Sequence, residues 1–114
     1  MRYALLIYTD EAQDATATKE QMDAVMGAYF AFGEQYKDKI VGGEALAPTS
    51  SATTVRMSAG KTLTTDGPFA ETKEQLGGFY LVSCEHLDEA IDIAAHVPGA
   101  QSGRIEVRPV MEFE

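Results

Sequence analysis

Two stretches of this chain carry an amphipathic helical repeat, and each lies between strand patterns. That alternation constrains the fold more than any other feature. Residues 2–8 read as a strand buried on both faces. Tyr3, Leu5 and Ile7 point one way, and Ala4, Leu6 and Tyr8 the other. Residues 9–17 are small and polar, as a loop should be. Thr18 then opens a helix, and Gln21 three residues later completes a capping box. Met22, Val25, Met26, Tyr29, Phe30, Gly33 and Tyr36 recur at helical spacing as one apolar stripe. Core packing is the ordinary use of such a stripe, and lining a ligand pocket the alternative.

Residues 40–46 read as a second strand with a glycine kink or bulge at Gly42-Gly43. Pro48-Thr49-Ser50-Ser51 is a loop. Residues 53–57 and 61–65 form a hairpin turning at Ser58-Ala59-Gly60-Lys61. Residues 76–83 make a strong strand whose paired Gly77-Gly78 indicates a bulge or a close backbone approach. The second helix covers roughly 86–96, with Asp88 and Glu89 at its positive end and Leu87, Ala90, Ile91, Ala94 and Ala95 facing inward. The last strand runs Arg104–Phe113. The order β-α-β-hairpin-β-α-β is a ferredoxin-like α+β arrangement with an inserted β-hairpin, in a single domain over residues 1–114.

Both helices of such a fold cover one face of the sheet. The other face carries apolar residues and would form a large exposed patch if left open. A second copy of the chain can cover it, so a two-fold homodimer with sheets face to face is expected.

Composition narrows the function classes. Eighteen acidic against nine basic residues give a net charge of −9. That argues against nucleic acid and against an anionic membrane surface, both of which need clustered Lys and Arg. No stretch approaches the ~20 apolar residues of a membrane span. Thr9-Asp10-Glu11 ends the first apolar run too soon for a signal peptide. The single cysteine, Cys84, cannot form an internal disulfide and reads as a buried thiol. A cytoplasmic location is the expectation.

Chemistry-bearing residues concentrate around Thr65-Asp66-Gly67-Pro68-Phe69-Ala70-Glu71-Thr72-Lys73-Glu74. Asp66, Gly67 and Pro68 in succession are turn chemistry, incompatible with a helix interior or a central strand. Asp66 is the candidate catalytic carboxylate at the cleft of the dimer, or else a turn residue that accepts backbone N–H groups. Glu71 and Lys73 lie two apart and share a face in an extended segment, where they pair in solvent or flank a polar ligand. Arg56, on a short strand, needs a carboxylate partner or an anionic substrate group. Tyr8 and Tyr80 each have a hydroxyl to place at the inter-sheet cavity, or a ring to pack in the core. No phosphate-binding loop, Cys-x-x-Cys or zinc spacing is present, so neither a metal nor a cofactor is expected.

At Asp66-Gly67-Pro68-Phe69-Ala70-Glu71-Thr72-Lys73-Glu74 the chain strongly resembles the YCII-related, or DGPF-domain, family. Val55-Arg56, Leu76-Gly77-Gly78-Phe79-Tyr80, Leu87-Asp88-Glu89-Ala90 and Glu106-Val107-Arg108-Pro109 extend the resemblance in order over essentially the whole chain. It implies a dimeric α+β-barrel type of ferredoxin-like fold. Some YCII-related relatives carry a His–Asp pair in a cleft. Here His86 and His96 stand at the start and end of the second helix, away from where that pair would sit. Two functions follow as expectations. One is a small-molecule site in a homodimer cleft, with Asp66 doing cofactor-independent acid/base work and Arg56 and Lys73 holding a small anionic ligand. The other is a non-catalytic binding or accessory module in which the DGPF turn is architectural.

Overall fold

The computed structural model describes residues 1–113. Strand β1 (Arg2–Thr9) leads into one helical turn, α1 (Glu11–Asp14), and then the long helix α2 (Lys19–Gln35). Strands β2 (Ile40–Ala45), β3 (Thr53–Ser58), β4 (Lys61–Asp66) and β5 (Gln75–Ser83) follow, then α3 (Leu87–Ala95) and β6 (Arg104–Pro109). Four strands form one antiparallel sheet in the order β2-β5-β1-β6, and β3 pairs with β4 as a separate hairpin. This is the expected ferredoxin-like α+β fold with its inserted hairpin.

Local chemistry sets the helix starts. The Thr18 hydroxyl accepts the Gln21 N–H at 3.1 Å, and the Gln21 side chain accepts the Thr18 N–H at 2.8 Å. Each bond satisfies a donor that the first turn leaves without an intrahelical partner. His86 caps α3 in the same way, its Nδ1 accepting the Glu89 N–H at 3.2 Å.

β1 is central, with β5 on one side and β6 on the other. Its odd residues Tyr3, Leu5 and Ile7 face the helices opposite Val82, Tyr80 and Gly78 of β5 and Pro109, Val107 and Ile105 of β6. With Phe32, Cys84, Ala90, Ile93, Ala94 and Val97 they form the core. Leu5, Val82 and Val97 are completely enclosed, each worth ~1.5–3 kcal/mol of burial. The even residues Ala4, Leu6 and Tyr8 lie on the opposite, uncovered face beside Phe79 and Leu81.

Four expectations change. The buried face of α3 is Ala90, Ile93 and Ala94, continued by Val97 at helical spacing, while the expected Leu87, Ile91 and Ala95 are exposed. Residues 9–17 contain α1, because Asp10 accepts the N–H groups of Ala12 and Gln13 and so nucleates a turn. The last strand stops at Pro109 rather than Phe113. The chain leaves the sheet after Pro109, although the Val110 N–H still donates to the Arg2 carbonyl at 3.0 Å. The α2 stripe is only partly core. Tyr29 and Tyr36 pack against the core, while Met22, Val25 and Met26 remain 52–68% exposed and Phe30 73%; the buried aromatic is Phe32, which the stripe did not include. The N-terminal half of α2 thus stands off the sheet.

The outline is a plate of 47 × 46 × 18 Å with a radius of gyration of 16.0 Å. A compact domain of this length has a radius near ~13 Å. The β3–β4 hairpin accounts for much of the difference, since it projects with nearly every residue exposed.

Candidate functional site

The stand-off of α2 opens a cleft of about 620 Å³ between that helix and the sheet. Met22, Val25, Met26 and Tyr29 form its helical wall, Ile7 and Tyr80 stand on the sheet side, and Pro98, Gly99 and Ser102 lie at its end. Gly43, Gly77 and Gly78 line the floor. The absence of side chains there is what leaves the volume open, since β2 and β5 approach too closely for a Cβ. One built on Gly78 would sit 2.9 Å from the Glu44 carbonyl oxygen.

The lining is largely apolar, with Thr9, Asp14, Glu44, Ser102 and the two tyrosines as its polar members. Tyr29, Ile7 and Thr9 converge on Gly99, and the Thr9 hydroxyl donates to the Asp14 carboxylate at 3.0 Å. The position of Asp14 is fixed by α1, at the end of the turn that Asp10 caps. Burial raises the pKa of Tyr29 and of Tyr80 above the ordinary phenol value. The shift is away from neutrality, so both hydroxyls keep their protons at neutral pH. Phe32 holds the Tyr80 ring with centroids 5.0 Å apart, so its hydroxyl is positioned by packing. Gly99 crowds the Tyr29 hydroxyl, and a Cβ there would lie 2.8 Å from that oxygen.

Of the expected site residues, Tyr80 alone lines this cleft. Tyr8 is on the other face of the sheet, opposite Arg104, so the two tyrosines do not share a cavity within one chain. Asp66, Arg56 and Lys73 are exposed, and neither Asp66 nor Glu71 forms an ion pair with Arg56 among the described residues. Glu71 lines a second, shallower cavity of about 420 Å³ with Glu11, Thr49, Gly67, Pro68 and Gln75. That junction is already hydrogen-bonded. The Glu11 carboxylate accepts the Thr49 N–H at 2.9 Å and its hydroxyl at 2.7 Å, and the Gln75 side chain accepts the Glu11 N–H at 3.0 Å.

The Asp-Gly-Pro turn closes the base of the hairpin. Gly67 has φ +96°, its N–H donates to the Ala52 carbonyl at 2.7 Å, and its carbonyl accepts the Thr54 hydroxyl at 2.8 Å. His86 and His96 cap the two ends of α3 and do not line the cleft. No pattern in the sequence marks Asp14, Thr9, Gly99 or Ser102 as site residues. The Asp10 cap ahead of Glu11 was the one local signal that Asp14 sits on ordered backbone.

The model of the YCII-related domain family matches residues 1–114. The chain belongs to the YCII-related family. An uncharacterised protein of Rhizobium meliloti (strain 1021) is 46% identical over 118 residues, covering 100% of this chain and 95% of the relative. Among solved structures, this YCII-related chain resembles 5-chloro-2-hydroxyhydroquinone dehydrochlorinase (TftG) from Burkholderia phenoliruptrix AC1100, in complex with 2,5-dihydroxybenzoquinone. The TM-score is 0.56 at 16% identity, covering 99% of this chain and 96% of the other. At that identity the likeness carries the fold. No helix among the described residues is long and apolar enough to cross a membrane.

Proposed function

We propose that the protein binds a small, flat, oxygen-bearing ring compound in the cleft between α2 and the sheet, and that it does so as a homodimer joined through the uncovered sheet face. The observation that carries the ligand reading is a 620 Å³ cleft of largely apolar lining whose walls include two tyrosines, Tyr29 on the helix and Tyr80 on the sheet. The volume falls within the ~300–1,000 Å³ of small-molecule sites, and a few convergent polar groups in an apolar cavity are what such sites use for orientation. Tyr29 and Tyr80 donate to ring oxygens, and the thioether and methyl groups of Met22, Val25 and Met26 cover the ring face. The dehydrochlorinase of similar fold was solved with a quinone, which supports the same ligand class here.

The ligand is uncharged at the ring. The ionisable residues lining the cleft are Asp14, Glu44 and the two tyrosines, and the lining includes no Lys, Arg or His. An anion would meet like charge there. Arg56 and Lys73, on which the expectation of an anionic ligand rested, are not among the lining residues. Asp14, held by Thr9, is the carboxylate placed to accept a hydrogen bond from a ring hydroxyl. Asp66, Arg56, Glu71 and Lys73 lie outside the cleft and take no part in this ligand site.

Calorimetric titration tests the ligand reading. Hydroquinone binds and benzoate, a ring of similar size bearing a charge, does not. Tyr80→Phe weakens hydroquinone roughly tenfold, the worth of one hydrogen bond. Preference for benzoate, or equal binding by Tyr80→Phe, contradicts the proposal.

A further inference from the structure

We infer that the β3–β4 hairpin is an arm that packs onto a second copy of the chain. This rests on the homodimer reading and goes beyond it by naming the element that completes the interface. In its own chain the arm has nothing to cover it. Val55 is 59% and Met57 62% exposed, and they share one face with Thr62 and Thr64 opposite them across the ladder. A two-stranded ribbon alone in water is marginally stable, so an apolar face on it implies a surface to lie against.

Area argues for a second copy. Four strands spaced ~4.8 Å apart and about six residues long present a sheet face of roughly 400 Å². A stable interface needs about 800 Å² from each partner. The sheet face supplies about half. The arm, two strands wide and as long, contributes roughly 200 Å² on one face. In a two-fold dimer each chain both extends its arm and receives its partner's, so this area counts twice and closes the gap.

Charge argues the same way. Residues 53–66 hold Arg56 and Lys61 against one acid, Asp66, a net +1. Removing that +1 from the overall −9 leaves −10 on the remainder. Two such bodies repel one another, and the arm is where the sign reverses. A second copy offers the acidic surface that the arm requires, beside the sheet face that its own sheet covers.

Sedimentation equilibrium of the full chain tests this. The wild type is a dimer. The double variant Val55→Asp with Met57→Asp raises its dissociation constant at least roughly 100-fold while the far-ultraviolet spectrum is unchanged, because those side chains support nothing in their own subunit. Leu6→Asp, on the sheet face, also weakens the dimer and locates the rest of the interface. A wild type that sediments as a monomer of 12.3 kDa overturns the homodimer and the arm together. A double variant that dimerises as tightly as wild type overturns the arm alone, with Leu6→Asp still reporting on the sheet face. Neither result bears on hydroquinone binding in the cleft.

Discussion

Gly67 holds φ +96°, where an L side chain is strained. No neighbouring atom would obstruct a Cβ there, so Gly67→Ala isolates the backbone term. It costs about 1–2 kcal/mol, read as a lower midpoint in urea with an unchanged slope. Thr18→Ala removes the bond to the Gln21 N–H and costs about 1 kcal/mol by the same measurement. The Lys39–Glu89 pair, at 3.1 Å, shifts both partners toward their charged forms. Hydrogen bonding to Lys39 holds the Glu89 carboxyl below its ordinary value, and hydrogen bonding to Glu89 raises Lys39. The Glu89 contribution is present above the ordinary carboxylate pKa and is lost as pH falls through the lowered value. The Lys39 contribution is present below the ordinary lysine pKa and is lost as pH rises through the raised one. Glu89→Gln therefore flattens the melting temperature against pH below about 5, whereas an unaltered acid slope would show that the pair is energetically silent.

At the scale of elements, what was legible in the sequence was what is decided locally. Thr18 with Gln21 marks a helix start through two bonds spanning three residues, and both are present. The Gly77-Gly78 pair marks an irregularity, and the β1–β5 register shifts between Ile7 and Tyr8, opposite those glycines. The cleft was not legible, because it depends on how far α2 stands from the sheet. Met22, Val25 and Met26 carry the same periodicity whether they touch the core or line a cavity. Tyr80 was singled out, but its face was not readable. Phe79 and Leu81 are as apolar as Tyr80 and Val82, so alternation in β5 does not say which set meets the helices. Gly99 gives a prediction at this scale. Gly99→Ala pushes against both the Tyr29 hydroxyl and an Ile7 methyl, the latter at 2.9 Å. It narrows the cleft end and weakens hydroquinone more than it lowers the melting temperature, and the reverse order would mean that Gly99 serves packing alone.

For the whole molecule, one sheet separates two surfaces with different work. The helix side holds the core and, where α2 lifts away, the ligand cleft. In the proposed dimer the uncovered side and the projecting hairpin meet a second copy. This division explains why a chain of 114 residues has a radius of gyration of 16.0 Å and leaves so many apolar side chains exposed. The Asp-Gly-Pro turn belongs to the second side, at the base of the arm, and Tyr29, Tyr80 and Asp14 belong to the first. The most direct test is a titration of the isotope-labelled protein with hydroquinone, followed through its amide resonances. The account predicts that Gly43, Gly78, Gly99 and Tyr80 shift together along one binding curve, while Gly67, Glu71 and Lys73 stay in place. Shifts confined to residues 66–74, with the cleft glycines unmoved, would contradict it.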